Sequence, residues 1–363
     1  MLTIFRKWYD RYLFEEESLL LLVLISVTLF LMMVLGAVMA PIISAIILAY
    51  LVQGVSTRMQ GYGLPRWAGV LSAYGLFVGM FFGSLLGLFP LVWRQLSSLA
   101  SELPRMLQQG QTLLVVLPER YPQLVSESQI QTIVTSLQSE LATMGQKLIE
   151  LSLSSIPGLF NVIIYTILIP LLVFFFLKDQ EAITRWLANH LPKERPMLRR
   201  IWAEMDTQIA NYVRGKAIEI LIVGGVSYAA FLWLDLNYAA LLALLVGLSV
   251  IVPYIGATLV TIPVVMVAFF QWGVGSEFYT VVMVYLIIQI LDGNVLVPLL
   301  FSEAVNLHPV AIVLAVLFFG GIWGLWGVFF AIPLATLIKA IMSAWPVPEA
   351  YDTITEISEG DSQ

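Results

Sequence analysis

The chain has 363 residues, of which 60% are hydrophobic and 12% charged, with a mean hydropathy of +0.90; soluble domains carry about 25% charged residues. That deficit excludes a conventional soluble enzyme, and it excludes disorder, which needs low hydrophobicity and high charge. The net charge of −6 sits mostly behind Lys339, where Glu349, Asp352, Glu356, Glu359 and Asp361 meet no basic residue. The remainder is nearly balanced and carries no electrostatic footprint for nucleic acid.

Charge-free stretches cover 18–57, 67–93, 151–177, 220–234, 236–276, 278–291 and 304–338. At about 20 apolar residues per crossing, they predict an all-α polytopic membrane protein. About eight transmembrane helices are expected, several broken or re-entrant in the second half. The first apolar run is far longer than the roughly 7–15 residues of a signal-peptide core, so it is expected to stay as an anchor. Residues 1–93 hold transmembrane helices 1 to 3. Within them 18–57 is long enough for two, with a reversal predicted at Gly36 and Pro41, because proline removes a backbone donor. The third helix, Trp67 to Trp93, carries Gly75, Gly79, Gly83 and Gly87 every four residues. These share one face, which suits close approach of another helix backbone.

Residues 94–155 read as an external amphipathic helical region. Ser126 and Gln129 form a capping-box pattern, and Ile130, Val134, Leu137, Leu141, Met144, Leu148 and Leu151 recur at steps of four and three. That seam fits either its own neighbours or another subunit. Transmembrane helix 4 follows at 156–177. Residues 178–216 hold eight basic and five acidic residues in amphipathic helices, and such an excess stays on the cytoplasmic side. Threading outward from there places 94–155 outside and both termini in the cytoplasm. Residues 217–345 form the C-terminal transmembrane domain. Pro253-Tyr254-Ile255-Gly256 and Pro263 are expected to break 236–276, and Asp292-Gly293-Asn294 before Pro298 to unwind the next span. The run 304–338 reads as two helices folded back on each other, and 346–363 as an acidic disordered tail.

Enzyme motifs are missing: there is no HExxH, GxSxG, P-loop or GxGxxG after a strand. No cysteine is present, and the only histidines are His190 and His308, which exclude thiolate and histidine metal sites. The reading is therefore of a non-enzyme with no cofactor and no metal. An ionisable group at bilayer depth is costly, and by default marks function. Asp292 meets that test best, with Gln289 and Asn294 beside it. Glu219, near Arg214 and Lys216, reads as an interfacial ion pair or as part of the path. His308, before Pro309, reads as a proton-sensitive element or a histidine satisfied by backbone. The expected substrate or ion path is thus Gln289, Asp292, Asn294, His308 and Glu219. Pro253, Tyr254, Gly256, Pro263, Gly293, Pro298 and Pro309 are expected to hold its backbone open.

The run Val252-Pro253-Tyr254-Ile255-Gly256 through Pro263, and the run Gln289 to Pro298 followed by Leu307-His308-Pro309, Gly320-Gly321 and Gly324 to Pro333, resemble the signatures of the autoinducer-2 exporter family. Asn211-Tyr212-Val213-Arg214-Gly215 also fits, and Pro298 to Pro309 is similar to its PerM-type permease branch. Lys216 stands where the wider family often has glutamine. The resemblance implies a bacterial inner-membrane transporter, with members linked to autoinducer-2 export and others to sodium/proton antiport. It also implies a homo-oligomer, specifically a pentamer. The combined expectation is a secondary transporter or exporter of a small hydrophilic solute, coupled to protons, to sodium or to neither, in contact with membrane lipid. A sodium/proton antiporter and a non-transporting membrane scaffold are the alternatives.

Overall fold

The computed structural model describes residues 16–120, 135–136, 155–191, 196–253, 255–301 and 307–344. Every regular element among the described residues is helical. In chain order they are α1 (Glu16–Gly61), α2 (Arg66–Gly83), a π-helical turn π1 (Ser84–Leu88), α3 (Phe89–Arg120), α4 (Ser155–Lys178), α5 (Gln180–Asn189) and α6 (Pro196–Trp233). There follow α7 (Ala239–Ser249), α8 (Ile255–Trp272), α9 (Ser276–Leu291), a second π turn π2 (Asp292–Leu296), α10 (Val297–Phe301), α11 (Pro309–Trp323) and α12 (Leu325–Ala344). Six helices among the described residues are long and apolar enough to cross a bilayer, or seven with α4 and α5 taken together. The apolar helices α7 and α11, with 11 and 15 residues, are too short to do so alone at about 1.5 Å per residue.

The chain divides into two compact units. One comprises Met1–Ala40, Asp179–Val213 and Phe301–Gln363; the other comprises Pro41–Lys178 and Arg214–Leu300. In the first, α11 and α12 form a hairpin whose turn is Gly324, at φ +59°. Phe319, Val316 and Ala331 bury the contact between the two helices. Gly327 lies against the Phe319 carbonyl, where a Cβ would overlap it. Tyr212 Oη donates to the Phe329 carbonyl at 2.8 Å, and Met197, Ile201 and Met205 pack with Leu21 and Ala340. The folded-back pair expected over 304–338 is therefore present. Its proline does not break it, because Pro333 lies inside α12.

The second unit is built around α7. Eight of its 11 residues are buried, among Val223 and Phe231 of α6, Val264 and Val267 of α8, Val281 and Tyr285 of α9, and Leu99 and Met106 of α3. Gln95 Oε1 accepts from Leu241 N at 2.8 Å, satisfying one of the free donors at the start of α7. A second cluster joins Ala45 and Val52 of α1, Ala73 of α2, and Val173 and Leu177 of α4.

Several expectations change. Residues 18–57 do not reverse at Gly36 and Pro41, since α1 runs unbroken from Glu16 to Gly61 with Pro41 inside it. A helix accepts an internal proline at the loss of one hydrogen bond, and a proline alone supplies no turn. No boundary falls at 93/94 or at 216/217 either. The third span continues through π1 into α3, and the predicted fifth span is the second half of α6, a helix of 38 residues. Pro263 lies inside α8, so only the Pro253 end of that expected break is real. Tyr254, the Ile130–Leu151 seam apart from Ser136 and Thr135 within it, and 346–363 lie outside the described residues.

The α7–α8 break is tight because Gly256 sits directly on the backbone carbonyl of Ser249, which a Cβ would overlap. Gly256→Ala is expected to lower stability by about 1–3 kcal/mol through overpacking. Gly225→Ala, with no described heavy atom within 4 Å of its Cβ position, should leave melting in detergent unchanged. Equal melting of both variants with the parent would show that the break can widen freely.

Candidate functional site

Helices α6 and α7 approach through glycine. A Cβ on Gly247 would lie 3.0 Å from Gly224 Cα and from the Ile220 carbonyl, so only two residues without side chains permit this spacing. That contact carries Lys216, two turns earlier on α6, to the end of α7. Lys216 Nζ donates to the Val250 carbonyl at 2.8 Å. This is an unpaired acceptor at a helix C-terminus, where the helix dipole also favours a cation.

The same Nζ lies 2.8 Å from Glu219 Oε2, the i, i+3 spacing that places both side chains on one helix face. Lys216 is 5% and Glu219 1% exposed. Glu219 is therefore one partner of an ion pair buried inside the protein. Burial of two ions is tolerated only with close geometry and further hydrogen bonds, and the Val250 carbonyl supplies one of these.

Asp292 opens π2. Its Oδ1 is fully buried and has no hydrogen-bond partner among the described residues. Lys216 acts on it through charge, and Asp292 in turn acts on Glu219. The Lys216 ammonium is thus paired with Glu219 and within electrostatic reach of Asp292, and the three groups carry one negative charge in excess when all are ionised. No group of three or more His, Asp and Glu suited to a metal ion occurs among the described residues.

The Asp292 segment is not unwound as the sequence predicts. The helix runs on, with Val297 N donating to the Asp292 carbonyl across a π turn. The wide turn has a cause two residues later: Pro298 has no N–H, and its ring crowds the preceding turn. The same arrangement occurs at π1, where Phe89 N donates to the Ser84 carbonyl just before Pro90. π turns of this kind are frequent at functional sites. Gly293, Asn294 and Pro298 are exposed.

The remaining expected site residues separate into different roles. Gln289 Nε2 donates to Tyr285 Oη at 3.0 Å. Tyr285 is buried, and its hydroxyl contacts the Ala257 carbonyl at 3.1 Å and Thr261 Oγ1 at 3.0 Å. Gln289 therefore ends a polar chain between α9 and α8. Asn294 Nδ2 donates to the Ile290 carbonyl of its own helix at 2.9 Å. His308 belongs to the other unit. Its Nδ1 accepts from Val310 N at 3.2 Å and caps α11, with Pro309 as the first helical residue. Gly75, Gly79, Gly83 and Gly87 meet no described heavy atom within 4 Å of their Cβ positions, so no described helix of the chain packs on them.

The sequence places Lys216 near Glu219 but not among the path residues, although Lys216-x-x-Glu219 stands immediately before 15 charge-free residues, which is the available signal for burial of the pair.

The helices and this cluster define a multi-pass helical membrane protein with ionisable side chains buried in its apolar interior. Residues 19–347 match the family described as AI-2E family transporter, and the chain belongs to that family. It is 45% identical over 346 residues to "Putative permease PerM" of Escherichia coli, covering 95% of this chain and 98% of that one. Over 335 residues it is 27% identical to "Putative transport protein YrrI" of Bacillus subtilis, covering 90% and 94%. To "Putative transport protein YueF" of the same organism it is 28% identical over 305 residues, covering 83% and 82%.

Proposed function

We propose that the chain is a secondary transporter of the bacterial inner membrane that exports a small hydrophilic solute, with a proton or sodium ion exchanged at Asp292. The observation that carries this reading is the buried, unpartnered Asp292 Oδ1 beside the Lys216–Glu219 pair. A carboxylate in that setting is expensive to keep. The excess negative charge suits one monovalent cation or proton, and the ammonium of Lys216 can follow whichever carboxylate is left uncompensated. The α7–α8 break and the π turn supply the irregular backbone that transporter sites use at bilayer depth. Sodium/proton antiport would use the same cluster without a solute. Flux of autoinducer-2, sodium and protons through proteoliposomes tests the two readings. Movement of none of them above empty liposomes would overturn both.

Orientation is part of the proposal, with 178–216 cytoplasmic and 94–155 external on the lysine and arginine bias. The chain has no native cysteine, so Ser136→Cys and Ala188→Cys report without background. An impermeant maleimide on intact spheroplasts should label the first and spare the second. The reverse pattern would invert the topology. Assembly as a homo-oligomer, pentameric on the family resemblance, completes the reading, and the open Gly75–Gly83 face of α2 is compatible with it.

A further inference from the structure

A groove of about 740 Å³ runs along the second unit, walled by α1, by α2 through π1 to α3, and by α6. Its walls are leucine, valine, phenylalanine and methionine, among them Leu51, Leu76, Met80 and Leu221. The polar exceptions are Ser84 and two arginines, Arg58 and Arg214. Both arginines are exposed, and among the described residues no hydrogen bond or ion pair engages either guanidinium.

The two charges lie toward one end of the groove. Arg58 is in the last turn of α1, and Arg214 precedes the apolar stretch of α6 that lines the wall as far as Leu221. From Arg58 back to Leu48 the α1 wall spans ten residues, about 15 Å at helical rise, which is roughly half the hydrocarbon thickness of a bilayer. The groove therefore has about the length of one leaflet, with both cations toward the end where α1 closes. Gly54 adds a second feature: a Cβ there would come 2.9 Å from Arg214 Nε. The Arg214 side chain passes close to the one residue of that α1 turn without a side chain.

We propose that this groove binds an anionic phospholipid of the cytoplasmic leaflet, one acyl chain against the apolar walls and the phosphate between Arg58 and Arg214. Basic pockets between transmembrane helices on the cytoplasmic side take such headgroups. The site is separate from the Lys216–Glu219–Asp292 cluster and stands whatever the transported species is.

The test is native mass spectrometry of the purified full chain titrated with phosphatidylglycerol and with phosphatidylcholine. The parent should retain phosphatidylglycerol in preference. The double variant Arg58→Gln, Arg214→Gln should bind it roughly thirtyfold more weakly, about tenfold for each 1.4 kcal/mol lost, with phosphatidylcholine binding unchanged. Gly54→Val, which displaces only Arg214, should give an intermediate loss. Because both arginines are exposed, melting temperature should be unaltered, and this separates loss of the site from loss of the fold. Equal retention of the two lipids by the parent, or an unchanged affinity in the double variant, would overturn the proposal. Displacement by millimolar inorganic phosphate would also overturn it, marking a free-anion site. If Leu76→Asn with Met80→Asn dissociates the oligomer while phosphatidylglycerol binding persists, the groove is covered by a second copy and the proposal fails.

Discussion

Asp292→Asn is expected to reduce transport by at least an order of magnitude while leaving expression, melting and oligomer mass intact. Asparagine keeps the shape of the side chain and its place at the start of π2, and removes the charge. Lys216 retains Glu219 at 2.8 Å and the Val250 carbonyl at 2.8 Å, so the packing that joins α6 to α7 is untouched. What disappears is the second carboxylate, whose buried Oδ1 has no partner among the described residues, and with it the excess negative charge that would attract a cation or proton. Initial flux in proteoliposomes over a range of pH checks this. The pH dependence should flatten together with the loss of rate, because the variant has lost its titrating group. Full flux with an unaltered pH profile would reduce Asp292 to a residue that merely accompanies the π turn.

Lys216→Met should act mainly on stability. Removing one partner of a buried pair leaves the other as an uncompensated charge, which costs about 3–5 kcal/mol. Here two carboxylates would be left, along with an unpaired carbonyl at the end of α7. The variant should express poorly and melt well below the parent in detergent. Lys216→Met combined with Glu219→Leu should recover much of that loss, since a buried ion pair replaced by apolar groups of similar size is often neutral. Transport should not return with it. This pattern distinguishes a pair that serves exchange from one that serves only folding. The coupling is read from the double-mutant cycle, in which each single change and the pair are melted under one condition. Additive losses would mean that Lys216 and Glu219 do not compensate one another in the folded chain.

Much of the architecture was readable from residue patterns. The helical hairpin over 304–338 follows from an apolar run too long for one crossing with Gly324 in its middle. The choice of Asp292 follows from the scarcity of charge in the second half. The expected proline breaks fail for one reason. Pro41 and Pro263 are expected to break their segments and Pro298 to hold its backbone open, yet each lies inside a helix. Proline forbids one hydrogen bond, and whether the chain then bends, widens into a π turn or runs on depends on what packs around it. At Pro298 and Pro90 the answer is a π turn, at Pro41 an unbroken helix. Of the two readings of His308, the structure shows a ring bonded to backbone, capping α11.

The sequence by itself determined the class of the protein. Composition set the membrane, the spacing of charges set the number of apolar segments, and a lone aspartate in an apolar run marked the centre of the candidate site. Those properties are local or summed along the chain, so no neighbour is needed to read them. The tertiary structure decided that the Lys216–Glu219 pair is buried and within electrostatic reach of Asp292, although 76 residues separate Lys216 from the aspartate. It also gave Gln289, Asn294 and His308 hydrogen-bond partners on the backbone or on a neighbouring side chain. The physical reason is that the pairing of a buried charge is settled by which helices approach closely. In this chain that approach depends on Gly224 and Gly247, two glycines from different helices whose meeting no periodicity along the sequence can announce.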